Sequence, residues 1–207
     1  GTAVVTLAAL INACRITGLD LHKAKVAQVG LGAAGSAIAR LILNYGARSV
    51  LVTDVNAEMV ARMVTEGAQA ETLESIMATA DVVICTTGKV GLIKPEMIRK
   101  GQVIFALSNP QAEIDPDTAR AAGAAYAADG AAINNALAFP GIFKGALETR
   151  ASSLHPQMFI AAAQAIASVV TPDEVVPSPL DLRVHDAVRV AVAECAHKLN
   201  LANTAKL

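Results

Sequence analysis

The run from Val26 to Gly35, Val-Ala-Gln-Val-Gly-Leu-Gly-Ala-Ala-Gly, constrains this chain more than any other stretch. It reads as a short buried strand entering a G-x-G-x-x-G turn, followed by a helix over 36–44 rich in Ala, Leu and Ile. The three glycines differ in what they do. Gly30 makes the tight turn, Gly32 lets a pyrophosphate approach the backbone, and Gly35 lets helix and strand pack closely. The diphosphate then rests against Ala33 and Ala34 at the helix N-terminus, where unpaired N–H groups and the positive end of the dipole converge. Alone, the glycine pattern describes any tight turn in an α/β protein. A second strand over 49–53 narrows the reading, because it ends on Asp54, about twenty positions after the glycines, where a ribose-binding acid belongs in a dinucleotide fold. Asn56 follows as a helix cap and as a further candidate contact at that end.

The rest of the chain alternates in the same way. Apolar residues on nearly all sides predict a buried helix over 2–16, ended by Gly18. Helices are predicted over 56–66, stopped by Gly67, and over 71–80, with Thr72 or Glu71 near the start. Asp81 to Cys85 is a buried strand that runs into Thr86-Thr87-Gly88, which become candidate cofactor contacts because loops at strand carboxyl ends line the ligand crevice. A short helix over 94–99 with Pro95 in its first turn leads to a strand over 102–106 that ends in Leu107-Ser108-Asn109-Pro110. A helix over 116–122, a last strand over 124–128, helices over 141–150 and 156–170, a proline-marked loop and a helix over 184–199 complete the chain. The fold class is α/β: a Rossmann-like, doubly wound, mostly parallel sheet with extra C-terminal helices.

Composition excludes some functions. With a net charge of −1 and no basic run, nothing draws nucleic acid to the chain. The longest apolar stretches, such as 158–170, are shorter than a bilayer requires and are interrupted by Gln164 and Ser168, so no membrane partner is expected. Cys14, Cys85 and Cys195 are odd in number and far apart, the pattern of free buried thiols in a reducing compartment, here the cytoplasm. His22, His155, His185 and His197 show no metal-ligand spacing and read as surface or cap residues. No metal site is expected within the chain.

Four motifs in order carry a resemblance: Gly1-Thr2-Ala3 leading a helix, the glycine run Gly30 to Gly35, Phe105 to Pro110, and Asn134-Asn135-Ala136-Leu137-Ala138-Phe139-Pro140-Gly141-Ile142-Phe143-Lys144-Gly145-Ala146-Leu147. Together they resemble the NAD-binding domain of bacterial malic enzymes across essentially the whole chain, and the loop from Pro177 to Asp181 is similar to that family's late proline loop. The resemblance implies oxidative decarboxylation of L-malate to pyruvate and carbon dioxide, with NAD or NADP as hydride acceptor and Mg or Mn as the divalent ion. It also implies that Asn109, Asn134 and Asn135 line the crevice and hydrogen-bond the malate carboxylate or the nicotinamide end, a role suited to neutral donors of fixed geometry.

By the same resemblance the catalytic tyrosine, the catalytic lysine and the metal-binding acids belong to an N-terminal domain, so no catalytic residue is assigned here. Lys89, Lys94 and Lys144 do not occupy the matching motif, and Tyr45 and Tyr126 sit at a predicted helix end and in a predicted strand, so none of them receives an acid or base role. The stretch from Asp129 to Ile133 is also shorter than the corresponding stretch of many members. Residues 1–207 are therefore expected to be the NAD(P)-binding domain of a longer, homo-oligomeric enzyme, an expectation that fits a chain opening on Gly1 without methionine. No lysine or arginine lies between Asp54 and Arg62, which favours NAD over NADP. Two alternatives remain open: a dinucleotide-binding module without chemistry of its own, and the cofactor lobe of an amino-acid or methylene-tetrahydrofolate dehydrogenase.

Overall fold

The computed structural model describes residues 1–131, 133, 137–172, 174–178 and 181–203. Two compact units divide it, one built from residues 13–133 and the other from 1–12 with 134–207.

The first unit is a six-stranded sheet in the order β3-β2-β1-β4-β5-β6, and every pairing in it is parallel. Its strands are β1 (Lys25–Val29), β2 (Ser49–Thr53), β3 (Gln69–Ala70), β4 (Val82–Cys85), β5 (Val103–Ala106) and β6 (Tyr126–Asp129). The chain moves from β1 outward to β3 and then crosses back to the far side of β1 at β4. Order reverses there, and in a doubly wound sheet that is where the ligand crevice opens. Both β4 and β5 are buried at every residue, which explains why they read as unbroken apolar runs and not as alternating ones. Helices α2 (Ala33–Tyr45), α3 (Ala57–Thr65), α4 (Leu73–Thr79) and α5 (Pro116–Ala121) make the crossovers. The core is mostly small and aliphatic, with Ile76, Val83, Ile104 and Ala119 in one cluster, and Phe105 is its largest fully buried side chain.

Each helix start has a local cause. Asn56 caps α3 by accepting from the N–H groups of Glu58 and Met59, Thr72 caps α4 through Ser75, and Asp115 caps α5 through Thr118. Helix α2 differs: Gly32 precedes it with no side chain to cap it. It begins three residues earlier than the sequence suggested, because the second half of the glycine motif already forms its first turn. The predicted helix over 94–99 is only a 3-10 turn, Pro95–Met97, and β3 is an unpredicted two-residue strand, exposed and too short to carry a period.

In the second unit, α6 (Phe139–Glu148) and α7 (Pro156–Ser168) both pack on α8 (Leu182–Lys198). Close approach of α6 to α8 depends on glycine: a Cβ on Gly141 would lie 2.6 Å from Val188 Cβ, and one on Gly145 would lie 2.5 Å from the Arg189 carbonyl oxygen. Asn12, on α1 (Thr2–Thr17), donates to the Ala167 and Val175 carbonyls at 3.1 and 3.0 Å, which satisfies a buried amide. Two histidines fit the expected roles, since His155 caps α7 and His22 stacks on Tyr45. Cys14 and Cys85 are free and buried as expected, whereas Cys195 is only half-buried because it lies near the exposed side of α8. No helix among the described residues is long and apolar enough to cross a membrane.

Candidate cofactor site

The carboxyl ends of β1, β2 and β4 open onto one cavity of about 870 Å³, which contains Gly30, Gly32, Ala33, Asp54, Asn56, Thr86 and Thr87 among its walls. The sequence placed all seven at a cofactor, and folding brings them to one place. Four other candidates stand outside those walls: Ala34, Gly35, Gly88 and Asn109. Asn134 and Asn135 lie outside the described residues, as do Pro179 and Leu180 of the late proline loop.

The three glycines differ in what surrounds them. Gly30 has φ +90°, and a Cβ there would sit 2.8 Å from the Thr86 carbonyl oxygen, so both conformation and space require glycine. A Cβ on Gly35 would run into the Gly30 carbonyl oxygen and come within 2.7 Å of Thr86 Oγ1. Gly35 is thus a packing glycine behind the turn, not a wall of the cavity. Around the Cβ position of Gly32 nothing lies within 4 Å. That open space sits before an uncapped helix N-terminus, the arrangement that receives an anion on backbone N–H groups.

Buried polar side chains that the sequence did not single out hold the turn in shape. Gln28, fully buried, donates through Nε2 to the Gly30 carbonyl and to Thr86 Oγ1, both at 2.9 Å, and Thr86 Oγ1 donates to the same carbonyl at 3.1 Å. Thr86 thereby links the end of β4 to the turn after β1. Asp54 faces the turn from the other side. Its Oδ2 accepts from the Leu31 N–H at 2.5 Å and its Oδ1 from the Asn56 N–H at 2.7 Å. Each carboxylate oxygen keeps a lone pair, so the acid still has two acceptor positions for ribose hydroxyls.

Sequence reasoning also missed Lys89, Val55 and Leu92 in the walls. Val55, fully exposed, and Leu92 supply apolar surface on which a base can rest. Lys89 matters more, because it places a cation in the same cavity as Asp54 from 35 positions further along the chain. Local spacing gave no sign of it.

Comparison with known proteins bears on this geometry. Residues 7–128 match the family described as S-adenosyl-L-homocysteine hydrolase, NAD binding domain, and residues 121–200 match the family described as Malic enzyme, NAD binding domain. The first match puts the sheet unit with NAD-binding domains of that type and stops where the sheet stops. NAD-dependent malic enzyme 1 of Bacillus subtilis runs through both segments, 54% identical over 95% of this chain. The chain belongs to the malic enzyme NAD-binding domain family. The bifunctional malic/malolactic enzyme of the same organism is 38% identical over 98% of the chain. The crystal structure of malic enzyme from Pyrococcus horikoshii superposes on all of it with a TM-score of 0.90 at 34% identity, covering 55% of that protein. Those two Bacillus relatives are matched over 45% and 56% of their own length, so the chain spans about half of the curated relatives it matches.

Proposed function

We propose that residues 1–207 form the cofactor domain of an NAD-dependent malic enzyme that oxidatively decarboxylates L-malate to pyruvate and carbon dioxide. The observation that carries this reading is the shared cavity: a glycine turn, an uncapped helix N-terminus and the Asp54 carboxylate all face it. NAD would accept the hydride when bound. The pyrophosphate fits over Gly30, Gly32, Ala33 and Ala34, with Gly35 holding the helix close, and the adenosine ribose donates to Asp54 beside Asn56. Thr86, Thr87 and Gly88 lie toward the nicotinamide ribose, and Asn109, Asn134 and Asn135 orient the nicotinamide or the malate carboxylate.

Proton transfer and the Mg or Mn ion belong, in this reading, to an N-terminal domain of the same protein, which would act in the cytoplasm as a homo-oligomer. Among the described residues no group of three or more His, Cys, Asp or Glu side chains is placed to hold a metal ion. The test is calorimetric titration with NAD, then an assay for malate-dependent NADH formation with Mn. The chain is expected to bind NAD and to turn malate over only when the complementary half of the enzyme is supplied. Failure to bind NAD overturns the cofactor reading, and turnover by the 207 residues alone overturns the division of labour.

A further inference from the structure

Beneath the loops that follow β4 and β5 lies a buried carboxylate outside the cavity walls. Glu113 is 0% exposed, and no salt bridge among the described residues includes it. Hydrogen-bond donors take the place of a cation. Oε1 accepts from the Thr87 N–H at 2.7 Å, from Thr87 Oγ1 at 2.8 Å and from Ser108 Oγ at 2.6 Å, and Oε2 accepts from the Ser108 N–H at 3.4 Å. The hydroxyl directions are fixed by their other bonds. Thr87 Oγ1 accepts from the Lys89 N–H at 3.1 Å and Ser108 Oγ from the Gly88 N–H at 2.8 Å, so each turns its own hydrogen toward Glu113. Such a ring of donors suits an ionised carboxylate, which only accepts.

Two consequences follow from its place in the loop after β5. Glu113 ties the carboxyl end of β4 to that of β5, and Thr87 lines the cavity, so the negative charge lies one hydrogen bond behind the cavity wall. In a doubly wound sheet the two halves of a dinucleotide lie over the two halves of the sheet. With Asp54 at the end of β2 marking the adenosine half, the nicotinamide half lies toward β4 and β5. The oxidised nicotinamide ring is positively charged and the reduced ring is neutral. A buried charge behind that wall therefore discriminates between them, because a low-dielectric surrounding screens it poorly.

We infer that Glu113, held by Thr87 and Ser108, is a positioning residue whose charge makes the domain favour oxidised NAD over NADH. This rests on the proposed cofactor role of the cavity. It suits an enzyme whose cofactor must enter oxidised and leave reduced.

The test is the ratio of the dissociation constants for NADH and NAD, measured by calorimetry on the wild-type chain, Glu113→Gln and Glu113→Asp. In Glu113→Gln, which keeps an acceptor oxygen and removes the charge, the ratio of the NADH constant to the NAD constant should fall about five- to tenfold. Glu113→Asp should keep the wild-type ratio. Equal loss of both affinities in a folded Glu113→Gln, or an unchanged ratio, overturns the inference, since a merely structural role would produce either. Should Glu113→Gln fail to fold, the wild-type ratio decides: binding NAD at least as tightly as NADH supports the inference, and a preference for NADH overturns it. If the wild-type chain binds neither form, the cofactor reading itself fails, a result separate from all of these.

Discussion

Asp54 Oδ2 accepts the backbone N–H of Leu31 at 2.5 Å, so the acid at the end of β2 is built into the glycine turn after β1. One side chain shapes the turn and faces the space where a ribose would sit. Asp54→Asn keeps an acceptor for the turn while removing the charge that strengthens bonds from ribose hydroxyls and repels a 2′-phosphate. Hydrogen bonds to a charged partner contribute about 1.5–3 kcal/mol. NAD affinity should fall roughly ten- to a hundredfold, and discrimination against NADP should narrow. Calorimetry with both cofactors reads this directly, and a mutant as selective as its parent would remove Asp54 from the ribose site.

Lys89 stands in the same cavity as Asp54, which bears on the choice between NAD and NADP. The absence of a basic residue shortly after Asp54 argued for NAD, yet the fold brings one in from the loop after β4. Lys89→Ala should weaken whatever NADP binding the chain has by up to about fivefold, since an exposed charge pair contributes up to about 1 kcal/mol. NAD affinity should change little. A fall in both by the same factor would mean that Lys89 supports the loop and does not read the phosphate.

How much was legible depended on how local each cause is. The turn, its three glycines and Asp54 were readable because strand, turn and helix follow one another within thirty residues and each has its own periodicity. Thr86 and Thr87 were readable as the end of an apolar strand. Glu113, Gln28 and Lys89 were not, since a buried acid shows as such only when Thr87 and Ser108 are known to converge on it. Helix α6 starts at Phe139 where Gly141 was expected, because Pro140 fits a first helical turn, where its missing N–H costs nothing.

The Glu66 carboxylate is held below its ordinary range, chiefly by its hydrogen bonds from Arg40 at 2.5 and 2.8 Å, with Arg62 a further contributor. A carboxylate whose pKa is lower folded than unfolded stabilises the fold at pH above its unfolded value. The contribution is lost as pH falls through the folded value, so the loss belongs below about pH 4.3. Both partners are partly exposed, which limits the pair to under about 1 kcal/mol. Arg40→Met should lower the unfolding midpoint at pH 7 and lower it by less at pH 2, below the unfolded value of Glu66, where the ion pair's contribution is being lost. Equal differences at the two pH values would assign the effect to packing.

Gly32 and Gly35 make opposite predictions from positions three apart. An added Cβ at Gly32 meets nothing within 4 Å, whereas one at Gly35 runs into the Gly30 carbonyl oxygen, and backbone cannot yield as a flexible side chain does. Gly32→Val should therefore fold with nearly the parent stability while its branched side chain fills the space proposed for the pyrophosphate. Gly35→Ala should lose about 1–3 kcal/mol, the usual cost of overpacking, and at roughly 2–4 °C per kcal/mol its thermal midpoint should drop by several degrees. NAD should raise the midpoint of the parent and of Gly35→Ala, because a ligand that binds only the folded state stabilises it, and should leave Gly32→Val unmoved. Thermal scans of the three proteins with and without NAD separate the cases. A Gly32→Val chain stabilised by NAD as much as the parent would place the pyrophosphate elsewhere, and a Gly35→Ala chain as stable as the parent would show that the turn has room the structure does not give it.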